Sequence, residues 1–255
     1  MGATAGRLAR MTRTLLAFDT STDLMSLALT SPAGLCVHEA AGGAQASAAL
    51  IPALLAMLAD AGTALSEVDA IAFGCGPGAF TGLRTACSVA QGLAFGAGKP
   101  VLPIDSLLLV AEDARAQLGD PVTLDVWVAM DARMDEIYAA RYRWNAEGAP
   151  WQAVVPPALY PVDALRQRWQ AEPPEVVAGS ALAVFGERLG LQGSAARQLA
   201  APASRAAALA RLAAQSWAQG RAVDAAMALP VYLRDKVAQT TAERDAARLA
   251  KGLAA

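Results

Sequence analysis

The residues of this chain that could do chemistry are few, and their neighbours weigh on each. Asp19 and Asp131 end apolar runs in matching contexts, Ala17-Phe-Asp-Thr-Ser-Thr-Asp23 and Ala129-Met-Asp-Ala-Arg-Met-Asp135. A carboxylate at the end of a buried strand can hold a metal–phosphate complex, and it can equally accept hydrogen bonds from its own turn, Asp19 from the Ser21 or Thr22 N–H. No Lys or Arg signature for phosphates accompanies either aspartate, so the turn is the simpler reading. The stretch Phe73-Gly-Cys-Gly-Pro-Gly-Ala-Phe-Thr-Gly-Leu-Arg84 is the other candidate. A strand feeding a helix through glycines gathers backbone N–H groups and a helix N-terminus at one point, which suits an anion. Gly74, Gly76 and Gly78 read G-x-G-x-G rather than the dinucleotide fingerprint, and no Gly-Lys-Ser/Thr follows, so it is not a P-loop. The plainer role for these glycines is close approach of helix and strand.

Other chemistries lack their parts. The single histidine, His38, cannot build a two-histidine metal site, and a catalytic triad would have to use it although it lies on a predicted strand among apolar residues, where a structural role is the simpler reading. Cys75 in the glycine stretch has no identifiable base and reads as a small packed thiol. Cys36, Cys75 and Cys87 are odd in number and show no CxxC spacing, as in a reduced, cytoplasmic protein. No catalytic residue, metal site or cofactor is expected.

The elements that must position these residues follow from periodicity. Thr14–Asp19, Leu24–Ser31 and Leu35–Glu39 read as a strand meander, with Ser31-Pro-Ala-Gly34 as a turn. Gln45–Ala61 reads as a helix with Leu50, Leu54, Met57 and Leu58 in one stripe that Ile51 and Leu55 widen. Ala70–Phe73 is a strand, Thr81–Ala97 a helix, Val101–Ile104 a strand, and Asp105 or Ser106 caps a helix running to Leu118. The pattern then begins again at Asp131, with Ile137–Tyr142, a helix over Val162–Gln170, a strand over Glu175–Ala178 and a helix over Ala181–Leu189. Ser204 caps a further helix over 205–218. A duplicated β-β-β-α-β-α unit is the mark of the two-lobed actin-like, ribonuclease-H-like α/β fold shared by actin, sugar kinases and heat-shock ATPases, with the ligand cleft between the halves. Asp19, Thr20, Gly76 and Gly78 would be its cleft residues here.

Size and composition bound the rest. The chain has 255 residues, is 55% hydrophobic and 17% charged, and carries a formal net charge of −2. It can bury a substantial core, and its total charge does not invite nucleic acid. No run of eighteen apolar residues is present, so no membrane span is expected. The first thirteen residues carry Arg7, Arg10 and Arg13 without an apolar core, so no signal peptide is expected, and Met11 could start the chain as well as Met1. The expected division is a loose extension over 1–10, an N-terminal lobe over 11–106, a C-terminal lobe over 107–220, and a segment over 221–255 that packs back on the first lobe and ends in a mobile tail.

One surface feature remains. The helix after the glycine stretch is lined by Gly82, Thr85, Ala86, Ser88, Ala90 and Gly92, which permit close helix approach, and the helix before it presents leucines. The two could pack inside the subunit or against another, and pattern alone does not separate these.

Leu16-Ala-Phe-Asp-Thr-Ser-Thr22, Gly74–Arg84, Ala90-Gln-Gly-Leu93, Met130-Asp-Ala-Arg-Met134 and Pro230-Val-Tyr-Leu-Arg234 together resemble the bacterial TsaB (YeaZ) family, in family order from about residue 14 to 237. The resemblance implies a non-catalytic paralogue of the transferase subunit TsaD in tRNA threonylcarbamoyladenosine synthesis. It implies a TsaD-like partner, a TsaE-like ATPase in the complex, homodimers when alone, and tRNA as an indirect partner. It also implies docking through the first two helices of the N-terminal lobe, and so an interface of Leu50, Leu54, Leu58, Thr81, Arg84, Thr85, Ser88 and Gln91. The histidine common before the family's first helix is replaced here by Ala46-Ser47, and the Arg common after the first loop glycine is Cys75. Both changes lean toward a scaffold and away from a vestigial metal or anion site. The protease reading attached to older family names is not supported with one histidine.

Overall fold

The computed structural model describes residues 13–146 and 149–234. The expected loose extension over 1–10, the choice between Met1 and Met11 and the tail of the 221–255 segment lie outside the described residues.

The first half is built on β1 (Leu15–Asp19), buried at every residue. It pairs antiparallel with β2 (Leu24–Ser31), Asp19 opposite Ser26, and parallel with β4 (Ala70–Gly76), Phe18 opposite Phe73. β3 (Gly34–Ala41) and β5 (Val101–Asp105) complete the order β3-β2-β1-β4-β5. The second half repeats the plan on β6 (Thr123–Asp131), antiparallel to β7 (Glu136–Asn145) and parallel to β9 (Val176–Ala178). With β8 (Ala149–Pro161) and β10 (Arg197–Leu199), the order is β10-β9-β6-β7-β8. Two mixed sheets with one connectivity make the two-lobed actin-like α/β fold.

Among the described residues, six α-helices pack on them: α1 (Ala46–Asp60), α2 (Phe80–Ala97), α3 (Ser106–Gln117), α4 (Val162–Ala171), α5 (Ala181–Phe185) and α6 (Arg205–Ala218). The caps are those the side chains allow. Asp105 accepts from the Leu107 and Leu108 N–H groups, and Ser204 accepts from the Ala207 N–H. Gly98, at φ 63°, ends α2 in the left-handed conformation that glycine adopts without penalty.

Two departures from the sequence reading matter for function. The division at 107–220 grouped Arg205–Ala218 with the second lobe, yet α6 packs on β1, β2 and β5 of the first sheet and on α3. Its buried alanines, Ala206, Ala208, Ala210 and Ala213, let it lie close, and Leu209 and Leu212 join one core with Leu15 and Leu102 from the first half and Val126 and Val128 from the second. Leu50, Leu54 and Leu58 are also core, exposed by only 0%, 1% and 4%. They pack with Phe18, Leu27 and Phe73 beneath α1, so a partner cannot reach them without dismantling the lobe. The large aliphatic residues that α1 leaves outside are Ile51 and Leu55, 43% and 51% exposed. By length and composition the Gly43–Asp60 segment could cross a bilayer, with a mean hydropathy of 1.4, but its inner stripe is seated in the core.

Candidate functional site

β1 and β4 run side by side into the mouth of the inter-lobe cleft, and the chemistry is decided where they end. Asp19 is fully buried. Its Oδ1 accepts from the Ser21 N–H at 3.2 Å, from Ser21 Oγ at 2.7 Å and from Arg205 Nη2 at 3.1 Å, and its Oδ2 accepts from Ser106 Oγ at 2.8 Å. Arg205, 3% exposed, carries the balancing charge from the first turn of α6. Four donors therefore occupy the carboxylate from three elements. The turn reading of Asp19 is right for Ser21, and the Arg205 ion pair is the part that periodicity could not show. One signal was present: a cation in the first turn of a helix opposes the helix dipole, so it asks for a specific anion.

The glycine stretch is shaped for this approach. A Cβ at Gly74 would stand 1.7 Å from Asp19 Oδ2, one at Gly82 1.8 Å from the Thr20 carbonyl oxygen, and one at Gly78 2.5 Å from the Ser21 carbonyl oxygen. Thr20 Oγ1 donates to the Gly82 carbonyl at 2.7 Å, and the Ala79 N–H donates to the Ser21 carbonyl at 2.7 Å. Gly76 (φ 111°) donates its N–H to Ser106 Oγ at 3.1 Å. The structure thus brings Asp19, Thr20, Gly76 and Gly78 together, with Asp19 held by Ser21, Ser106 and Arg205, the Thr20 hydroxyl by Gly82, and the Gly76 N–H by Ser106. Cys75 Sγ donates to the Ile104 carbonyl, and burial pushes its thiol up to about 12, which makes it a poor nucleophile.

On the other lobe Asp131 is turned onto its own loop, accepting from the Arg133 N–H at 2.8 Å and pairing with the Arg133 guanidinium at 3.1 Å. Between the lobes lies a cavity of about 680 Å³. Its walls are largely apolar, with Phe80, Leu107 and Val110 facing Met130, Tyr138 and Val184. Among the described residues no three His, Cys, Asp or Glu side chains gather as a metal-binding group.

A second candidate surface is the outer face of α1 and α2. Phe95 is 62% exposed, and Thr81, Arg84 and Ser88 are exposed beside half-buried Thr85 and Gln91. Arg84 stacks on the Phe80 ring at 3.8 Å and donates from Nε to the Tyr232 hydroxyl at 3.0 Å.

These features define an actin-like, two-lobed α/β protein whose buried strand-end aspartate is spent on an internal ion pair and whose first lobe, among the described residues, exposes apolar side chains on its first two helices. A family model for "TsaD: tRNA N6-adenosine threonylcarbamoyltransferase" matches residues 37–242. The chain is 31% identical over 225 residues to the tRNA threonylcarbamoyladenosine biosynthesis protein TsaB of Escherichia coli, covering 88% of this chain and 96% of that one. It is 42% identical over 125 residues to TsaB of Haemophilus influenzae, covering 49% and 52%. The solved structure of YeaZ from Pseudomonas aeruginosa superposes with a TM-score of 0.75 at 38% identity, over 87% of this chain and all of that one. The chain belongs to the TsaB (YeaZ) family.

Proposed function

We propose that this protein serves tRNA threonylcarbamoyladenosine synthesis as a non-catalytic subunit that binds and stabilises a TsaD-like transferase. The observation that carries this reading is the Asp19 carboxylate. It is enclosed by Ser21, Ser106 and Arg205, so recruiting a metal–phosphate complex there would first break a buried ion pair. Family membership supplies the pathway, through the TsaB relatives named for tRNA threonylcarbamoyladenosine biosynthesis.

The docking face is the outside of α1 and α2: Ile51, Leu55 and Phe95 as apolar anchors, with Thr81, Arg84, Thr85, Ser88 and Gln91 around them. Leu50, Leu54 and Leu58 act from beneath by fixing α1 on the sheet. An exposed apolar patch rimmed by polar groups suits a protein partner, and a specific interface asks for roughly 800 Å² per side. Alone, the chain covers this face with a second copy. In the complex a TsaE-like ATPase joins, tRNA is met through the catalytic subunit, and the work is done in the cytoplasm without a cofactor on this chain.

Light scattering on the purified chain mixed with its cognate TsaD-like subunit tests the reading. A heterodimer forming at the expense of a homodimer is expected. No complex, together with ATP turnover by this chain alone, would overturn it in favour of an actin-fold ATPase or carbamoyl-transfer enzyme.

A further inference from the structure

The five residues Pro230–Arg234 form no strand or helix, yet they touch both lobes. On the first-lobe side, the Val231 N–H donates to the Cys75 carbonyl at 2.7 Å. The Tyr232 ring packs on Phe80 at 5.1 Å, and its hydroxyl accepts from Arg84. Two residues on, Arg234 reaches the second lobe. Its Nη2 donates to the carbonyls of Ala132 and Arg133, at 3.1 and 3.3 Å, and to Glu136 Oε2 at 2.5 Å. The Arg234 side chain is 12% exposed.

The loop that Arg234 holds is unusual. Arg133, Met134 and Asp135 all have left-handed backbones, at φ 63°, 57° and 58°. Non-glycine residues adopt that conformation singly, and three in a row persist only where the surroundings impose it. Here the surroundings are Arg234 on the carbonyls, Asp131 on the Arg133 N–H, and two ion pairs, Arg133–Asp23 across the cleft and Arg188–Asp135. Both flanks of the cavity mouth are thus fixed by one short, largely exposed segment, Val231 being 45% and Tyr232 43% exposed. A segment with so little buried contact opens at low cost.

We infer that Pro230–Arg234 is an inter-lobe clasp, with Tyr232 and Arg234 as its positioning residues, that couples the α2 docking face to the 133–135 loop and to the width of the cleft. Arg84 is the contact point: it is exposed on the docking face and bonded to the clasp. A partner that engages Arg84 therefore changes the hold on the second lobe, and the coupling runs equally in reverse. The role given to α2 rests on the docking reading above; the clasp itself does not.

Hydrogen–deuterium exchange of the full chain tests it. Arg234→Ala is expected to speed exchange at least tenfold over 130–136 and also over 76–84, which it does not touch. Tyr232→Ala is expected to do the same from the other end, while the amides of β1 and of β4 before Gly76 stay slow in both. Variants that each loosen only their own contact would overturn the coupling. If Arg234→Ala does not fold, Tyr232→Phe decides: it removes only the hydroxyl, and exchange over 130–136 should rise about threefold, with no change refuting the clasp. With the TsaD-like subunit bound, wild type should gain protection over both segments and Tyr232→Ala only over 76–84. Protection of 76–84 alone in wild type would refute the clasp. No protection at 76–84 would refute the docking face, and the free-chain variants would still decide the clasp.

Discussion

Arg205 sits in the first turn of α6 because its guanidinium must stand 3.1 Å from the Asp19 carboxylate. Removing one partner of a fully buried pair strands the other, at about 3–5 kcal/mol. Arg205→Met should lose that much in urea unfolding, and adding Asp19→Asn should recover a large part. A loss under about 1 kcal/mol would mean that the pair is not buried as described. The cysteines give a second check. Burial pushes the Cys75 thiol up to about 12 and that of Cys87 to about 11, while Cys36 is exposed. A thiol reagent at neutral pH should titrate one cysteine in the native chain and three after unfolding. Asp105 carries a pH signature. Burial holds its carboxyl above the ordinary carboxylate range, against the Tyr142 hydroxyl and the Leu107 and Leu108 N–H donors. An acid with a raised folded value contributes stability below the unfolded value of about 3.9 and loses it as pH climbs through the folded one. Asp105→Asn, which keeps an acceptor for the cap, should therefore gain on wild type between those values and hold the gain at neutral pH. Urea midpoints at acid and neutral pH measure it, and an equal difference at both would contradict the burial account.

At the scale of elements, α1 and α2 show how far spacing can be trusted. Periodicity found the leucine stripe of α1 and left open whether it faced the core or a partner. The structure seats Leu50, Leu54 and Leu58 against β1, β2 and β4 and leaves Ile51 and Leu55 outside. A 3.6-residue period tells which residues share a face, and only the position of the sheet tells which face is inside. The consequence for mutagenesis is direct. Leu54→Glu should unfold the lobe, whereas Leu55→Glu combined with Phe95→Glu should leave the melting temperature within a few degrees and weaken partner binding at least a hundredfold by titration calorimetry. The glycines of α2 were legible as close-approach residues, but what they approach was not. Gly82→Ala would put a methyl 1.8 Å from the Thr20 carbonyl, so α2 must shift. The expected cost is about 2–4 kcal/mol by urea unfolding. Two strands escaped the sequence. β10 has only three residues, Arg197-Gln-Leu199, too few for an alternation, and β8 contains Pro150, Pro156 and Pro157, which argue against a strand except at the sheet edge it occupies.

For the whole molecule, the duplicated order of elements was readable because each half restarts at an Ala-apolar-Asp strand end. The joining of the halves was not, since α6, the clasp and the Asp23–Arg133 pair bring together residues about a hundred or more positions apart. A core that mixes Leu15 and Leu102 with Val126, Val128 and Leu209 makes independent lobes unlike this chain's. Calorimetry should show one transition, with calorimetric and van't Hoff enthalpies in agreement; two resolved transitions would mean that α6 does not bind the halves into one unit.

The greasy outside of α1 bears on how much of this protein a cell can keep. Only 28% of the Gly43–Asp60 window is buried, and Ile51 and Leu55 face outward. On the docking reading proposed above, a copy paired with its partner or with a second copy hides that surface, while an unpaired monomer displays a hydrophobic flag of the kind that chaperones and proteases recognise. If that reading holds, monomer that neither pairing takes up would be cleared as orphaned chain, and depletion of the partner should shorten the half-life of this chain without any change in its synthesis.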